Sequence, residues 1–202
     1  LDIIQEENTE DFEKMAAVLP YAESYLSTGI FVHARQRVPW LLILMVSAVF
    51  AGLIISFFED ALVVMPALTA FIPMLMGTGG NCGSQSATLV IRGLALKEIL
   101  VSDLLRVIWK EIQVSVLVGA VLSVINIARI ALFGHSFQMA LTVGLSLYLT
   151  VIIAKLFGCL LPIIARALRL DPAIMAAPLI TTIVDAGSLI FYFLMARLIL
   201  IV

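Results

Sequence analysis

One carboxylate, Asp185, lies inside an apolar run that is otherwise free of charge from Pro172 to Ala196. An ionised acid at the centre of a bilayer costs on the order of 2.5–3.5 kcal/mol on insertion scales, so it calls for a compensating partner. For an acid in hydrocarbon that partner is a cation, either a lysine of the same chain or an ion in a pathway. Thr181 and Thr182 lie one turn before Asp185, and Pro178 frees the carbonyl of Ile174, four residues earlier. A second stretch, Gly77-Thr-Gly-Gly-Asn-Cys-Gly-Ser-Gln-Ser-Ala-Thr88, gathers four of the twelve glycines into residues 77–83. Gly and Pro weaken helix interiors, so with Pro66 and Pro73 upstream a broken or unwound helix is expected. Irregular backbone at membrane depth is tolerated where protein or a water-filled cavity satisfies it, and such interruptions point to transport sites. Exposed carbonyls together with Asn81, Ser84, Gln85 and Thr88 would suit a hard cation such as magnesium. The plainer alternative is close helix packing through small residues.

Other reactive side chains say less. Lys155 lies mid-span and leaves three readings open: snorkelling to an interface, a structural ion pair with Asp185, or neutralisation of Glu111. Near the N-terminus, Glu6/Glu10 and Glu7/Asp11 are like-charge pairs four residues apart, which repel on a helix. They read as a solvated face or as a place where a divalent cation relieves the repulsion. Cys82 and Cys159 lack CxxC or CxxH spacing and read as packing residues. His33 and His135 fall near membrane boundaries without a partner motif. Catalysis is not expected. A GxSxG elbow is missing, the glycine stretch lacks the Lys-Ser/Thr of a phosphate loop, and aspartyl chemistry would need a second acid beside Asp185.

These residues must be carried by membrane helices. The 202 residues are 62% hydrophobic and 13% charged with a mean hydropathy of +1.15, against about 45–50% and about 25% in soluble domains. The twelve Lys and Arg form no basic stripe, so no nucleic-acid partner is expected. The fold class is an all-α membrane protein with five spans, at about 40–58, 61–91, 104–133, 137–165 and 172–198. Pro39-Trp40 opens the first span, which runs nineteen residues to Phe58 without a charge. Residues 2–36 read as an amphipathic helical region outside the bilayer. One side collects eight of the Lys and Arg residues and the other two, Arg129 and Arg197. That bias puts the N-terminus in the cytoplasm and, with five spans, the C-terminus outside. The chain starts at Leu1 and reads as a piece of a longer protein.

The stretch from Gly77 to Leu96 resembles the second-helix signature of the MgtE magnesium transporter and channel family. Asp171-Pro-Ala-Ile-Met-Ala-Ala-Pro-Leu-Ile-Thr-Thr-Ile-Val-Asp185 resembles its fifth-helix signature. Glu7-Asn-Thr-Glu-Asp11 followed by Arg37-Val-Pro-Trp40 is similar to its connecting "plug" helix and entry to the first span. The resemblance divides the chain into a connecting region, 1–38, and a five-helix pore domain, 39–202. It implies a homodimer in the plasma (cell inner) membrane, with a pore on the two-fold axis lined by second and fifth helices. A largely hydrated magnesium ion, or another divalent cation such as manganese, would be held by Asp185 of both subunits. Carbonyls at Gly80 and Thr181 would contribute, and Asn81, Ser84 and Thr88 would line the pore. Ala177 falls at the cytoplasmic gate, where some relatives have Asn, and Ser84 also replaces an Asn of some relatives. Glu7, Glu10 and Asp11 would take part in magnesium sensing with cytoplasmic N and CBS domains. The rival readings are a proton- or ion-coupled secondary carrier using Asp185 and Lys155, and a membrane scaffold without transport.

Overall fold

The computed structural model describes residues 26–172 and 177–200, and every regular element among them is helical. The elements are α1 (Ile30–Phe57), α2 (Glu59–Val64), a 3-10 segment (Pro66–Phe71), α3 (Ile72–Ala95), a 3-10 turn (Val101–Asp103), α4 (Leu104–Leu132), α5 (Phe137–Ala167) and α6 (Ala177–Leu200). The expected amphipathic region before residue 26, with Glu7, Glu10 and Asp11, lies outside the described residues. Four helical segments are long and apolar enough to cross a membrane: Ile30–Phe57, Val101–Leu132, Phe137–Ala167 and Leu179–Leu200. The second expected span, 61–91, falls on α3, whose 24 residues reach about 36 Å at 1.5 Å per residue. Its polar and glycine content keeps it out of that apolar set.

Two boundaries differ from the sequence expectation. The first helix begins at Ile30 and runs through Pro39, where a start had been expected at Pro39-Trp40. More consequentially, the glycine stretch does not break its helix: residues 72–95 form one α-helix. The interruption falls upstream, where Pro66 opens the 3-10 segment and Pro73 sits in the first turn of α3. Proline is tolerated there because the N–H it lacks has no intrahelical acceptor in a first turn. Each glycine costs about 1 kcal/mol of helix propensity, and at Gly79, Gly80 and Gly83 close packing against neighbouring helices offsets that cost.

Helix ends follow local chemistry. Ser136 caps α5 by accepting a hydrogen bond from the Met139 N–H at 3.2 Å. Helices α3, α4 and α5 end on left-handed residues, Lys97 (φ 58°), Gly134 (φ 83°) and Arg169 (φ 61°). In each case the following N–H reaches back to a carbonyl of the last turn: Glu98 to Gly93 at 2.9 Å, His135 to Ile130 at 3.4 Å and Leu170 to Ala165 at 2.8 Å. These are Schellman closures, with a cation at the left-handed position in two of the three.

The core lies where α3, α5 and α6 meet. Leu75 of α3, Val143, Val151 and Ala154 of α5, and Ile180, Val184 and Leu189 of α6 are fully buried. At one end, the Tyr192 hydroxyl donates to the Leu68 carbonyl at 2.9 Å, tying α6 to the 3-10 segment. Beside it, Phe58 stacks on Phe193 at 4.9 Å, and the Arg197 guanidinium lies 4.8 Å from the Phe58 ring centre. By contrast, α1 has no fully buried residue, and the long helix it mainly packs on is α6.

Candidate functional site

The site is built on the crossing of α3 and α6. A Cβ on Gly79 would lie 2.7 Å from Val184 Cγ1 and 2.8 Å from Thr150 Cγ2. One on Gly80 would lie 2.9 Å from Thr181 Cγ2, and one on Gly83 2.6 Å from Ile180 Cγ2. At distances this short a methyl group would have to displace the facing side chain, so glycine at these three positions is what lets the helices approach this closely. The glycine stretch thus does what small residues do at membrane helix contacts, and its backbone stays in the helical ladder. The expectation of unwound, exposed carbonyls is corrected accordingly.

Polar candidates flank this contact instead of filling it. Gly77, Asn81, Gln85, Thr88 and Arg92 are exposed and Ser84 is half-buried, all on one face of α3. Their spacing of three, four or eight is that of a single stripe on a 3.6-residue helix. The opposite face carries buried Gly79, Gly83, Ser86, Ala87 and Val90. On α6, Asp185 lies one turn beyond Thr181, and both are half-buried. Since Thr181 meets Gly80, the acid and the polar stripe border the same helix contact. Among the described residues Asp185 makes no hydrogen bond or ion pair. Ala177 begins α6, and its side chain is outside the described set.

Lys155 resolves differently from the Asp185 pairing considered above. Its Nζ is 3.8 Å from Oε2 of Glu111 and donates to Ser86 Oγ at 3.2 Å. Ser86 in turn donates to Glu111 Oε2 at 2.7 Å. The Lys155 and Glu111 side chains are 7% and 13% exposed, so this lysine does not snorkel. Glu111 was one partner considered for it. Ser86 was missed, because nothing in its sequence setting separates it from Ser84 two residues away. Cys82 and Cys159 are buried free thiols, in keeping with packing roles. His135 is exposed and packs edge-on against Phe71 at 5.7 Å. Both rings border a pocket of about 420 Å³ with Met74 and Arg129, whose guanidinium donates twice to Asn126 Oδ1 at 2.9 and 3.2 Å. Among the described residues no three His, Cys, Asp or Glu side chains cluster as a metal site.

Comparison with known proteins agrees with the helical, multi-pass architecture. The family described as "MgtE: Divalent cation transporter" matches residues 72–195. The chain is 42% identical over 193 residues to "Magnesium transporter MgtE" of Bacillus subtilis, covering 96% of this chain and 42% of that protein. It is 39% identical over 200 residues to a protein of the same name from Thermus thermophilus, covering 99% and 44%. A third relative of that name, from Enterococcus faecalis, is 29% identical over 198 residues, covering 98% and 43%. The chain therefore spans less than half the length of these curated relatives. With the family match spanning more than half of its 202 residues and reaching from α3 to α6, the chain belongs to the MgtE family of divalent cation transporters.

Proposed function

We propose that this chain is the membrane-embedded part of a magnesium transporter, a channel-like homodimer that passes hydrated Mg²⁺ into the cytoplasm along its two-fold axis. The observation that carries this reading is the half-buried Asp185, without a partner among the described residues, beside the polar stripe of α3. An acid and a row of amides and hydroxyls are costly to leave against lipid. A second copy facing the stripe would enclose it, with α3 as the second of five membrane spans.

Two Asp185 carboxylates would match the charge of one divalent ion. Magnesium keeps several of its waters and is bound through one or two carboxylates, so a dense ligand cluster within one subunit is unnecessary. Asn81, Ser84 and Thr88 would hydrogen-bond the water shell. Carbonyls of Gly80 and Thr181 would act through the lone pair that the helical hydrogen bond leaves free. Ala177 would leave the cytoplasmic gate less polar than an Asn would. The inside-negative potential would draw the ion inward by about 2.3 kcal/mol per unit charge per 100 mV. Glu7, Glu10 and Asp11, with cytoplasmic N and CBS domains in a longer protein, would sense cytoplasmic magnesium; manganese is a second candidate cargo.

The test is Mg²⁺ uptake into proteoliposomes carrying Asp185→Ala. Uptake should vanish while the dimer persists on gel filtration, and uptake at the normal rate would sink the assignment. An imposed pH gradient should leave wild-type uptake unchanged. Uptake driven by that gradient would favour the ion-coupled carrier, although its second residue, Lys155, is engaged by Glu111.

A further inference from the structure

The face of α3 turned away from the stripe carries its own polar contact. Ser86, fully buried, is hydrogen-bonded to charged groups from two other helices: it donates to Glu111 of α4 and accepts from Lys155 of α5. Three helices therefore meet at one hydroxyl. The surrounding seam is close-packed, with Val90 and Leu94 of α3 against Cys159 and Ile163 of α5. A Cβ on Gly158, three residues after Lys155, would meet the Gly83 carbonyl oxygen and would lie 3.0 Å from Ser86 Cβ. The Ala154 carbonyl lies 3.2 Å from where a Gly83 Cβ would be. Glycine and alanine bring the backbones into close contact there, but none of these contacts is directional in the way the hydrogen bonds of Ser86 are. A slip of one residue turns a helix by about 100°, which would carry Asn81, Ser84 and Thr88 away from their present face.

A buried ion pair is a poor means of adding stability. Apolar replacement of both partners is often neutral or stabilising, and the best-attested use of such pairs is to fix register. We propose that Glu111, Ser86 and Lys155 form a buried lock that fixes the rotation of α3 and so aims its polar stripe. All three are positioning residues, acting through Asn81, Ser84 and Thr88. The consequence for transport rests on the proposed function, whereas the rotation itself does not.

The experiment is cysteine labelling of the full chain, reconstituted, with Cys82 and Cys159 replaced by alanine. Asn81→Cys, Ser84→Cys and Thr88→Cys report the stripe; Ala87→Cys and Val90→Cys report the buried face. With the lock intact, a water-soluble thiol reagent should label the first group fast and the second slowly. In Glu111→Gln/Lys155→Met that contrast should shrink by roughly tenfold, the scale of coupling within a shared network. The magnesium concentration for half-maximal uptake should shift as well. A folded double variant with wild-type contrast and an unshifted uptake curve overturns the proposal. Should that variant not fold, Glu111→Lys/Lys155→Glu keeps a pair that Ser86 can still bridge, and it should restore the contrast. A folded swap that has lost the contrast overturns the lock. Normal uptake by Asp185→Ala, with the contrast still dependent on Glu111 and Lys155, would remove the transport reading and leave the lock standing.

Discussion

Glu111 and Asp185 are both carboxylates on apolar helices, and the fold treats them in opposite ways. Glu111 is held by a lysine and a serine of its own chain, on the inward face of α3. Asp185 is half-buried beside the outward face of the same helix, with no ion pair among the described residues. The cost of an intramembrane acid is thus met internally in one place and left to be met from outside in the other. That difference separates a structural acid from a candidate ion-binding one more clearly than burial alone could.

The contrast can be broken in several ways. The largest effect should come from Glu111→Gln, which leaves the Lys155 ammonium buried without its counter-charge. Removing one partner of a buried pair costs about 3–5 kcal/mol, readable by denaturant or thermal unfolding in detergent, and adding Lys155→Met should recover most of it. An equal loss in single and double variants would mean that the pair is not coupled. Next, if the proposed site binds magnesium, a hundredfold excess over its Kd should stabilise the protein by about 2.7 kcal/mol. That gain should vanish in Asp185→Asn and persist, at a shifted magnesium concentration, in Glu111→Gln/Lys155→Met; the reverse pattern would exchange the roles of the two acids. Smaller again, Gly83→Ala on the inward face should cost about 1–3 kcal/mol through overpacking. Smallest is Gly77→Ala on the outward face, where a Cβ meets nothing within 4 Å. It should stabilise by no more than about 1 kcal/mol through helix propensity, and a clear loss of stability there would mean the outward face is tightly packed.

Much of this arrangement was legible in the sequence. The expected spans 104–133 and 137–165 coincide closely with α4 and α5, because Gly134 and flanking polar residues bound the apolar runs. Asp185 stood out because an acid within an uninterrupted apolar run has few bland explanations. Residues 77–83 were misjudged for a specific reason. Propensity counts what glycine costs a lone helix, but not what Thr150, Ile180, Thr181 and Val184 gain by packing on it. Pro39 misled similarly, since a proline within a helix is disfavoured but not forbidden. Ser86 gave no signal, as its importance lies entirely in two side chains 25 and 69 residues away.

The bare surface of α1 bears on how the protein is assembled. A helix with no fully buried side chain and with a wholly apolar run depends little on neighbours for its burial in lipid. Helix α3, with two amides, hydroxyls and an arginine along one side, is costlier to leave against lipid. The two helices differ in what they require: α1 meets the core only through a few partly buried side chains such as Ala51, Ile54 and Ile55, while α3 needs α5 and α6 on one side and a polar-tolerant cover on the other.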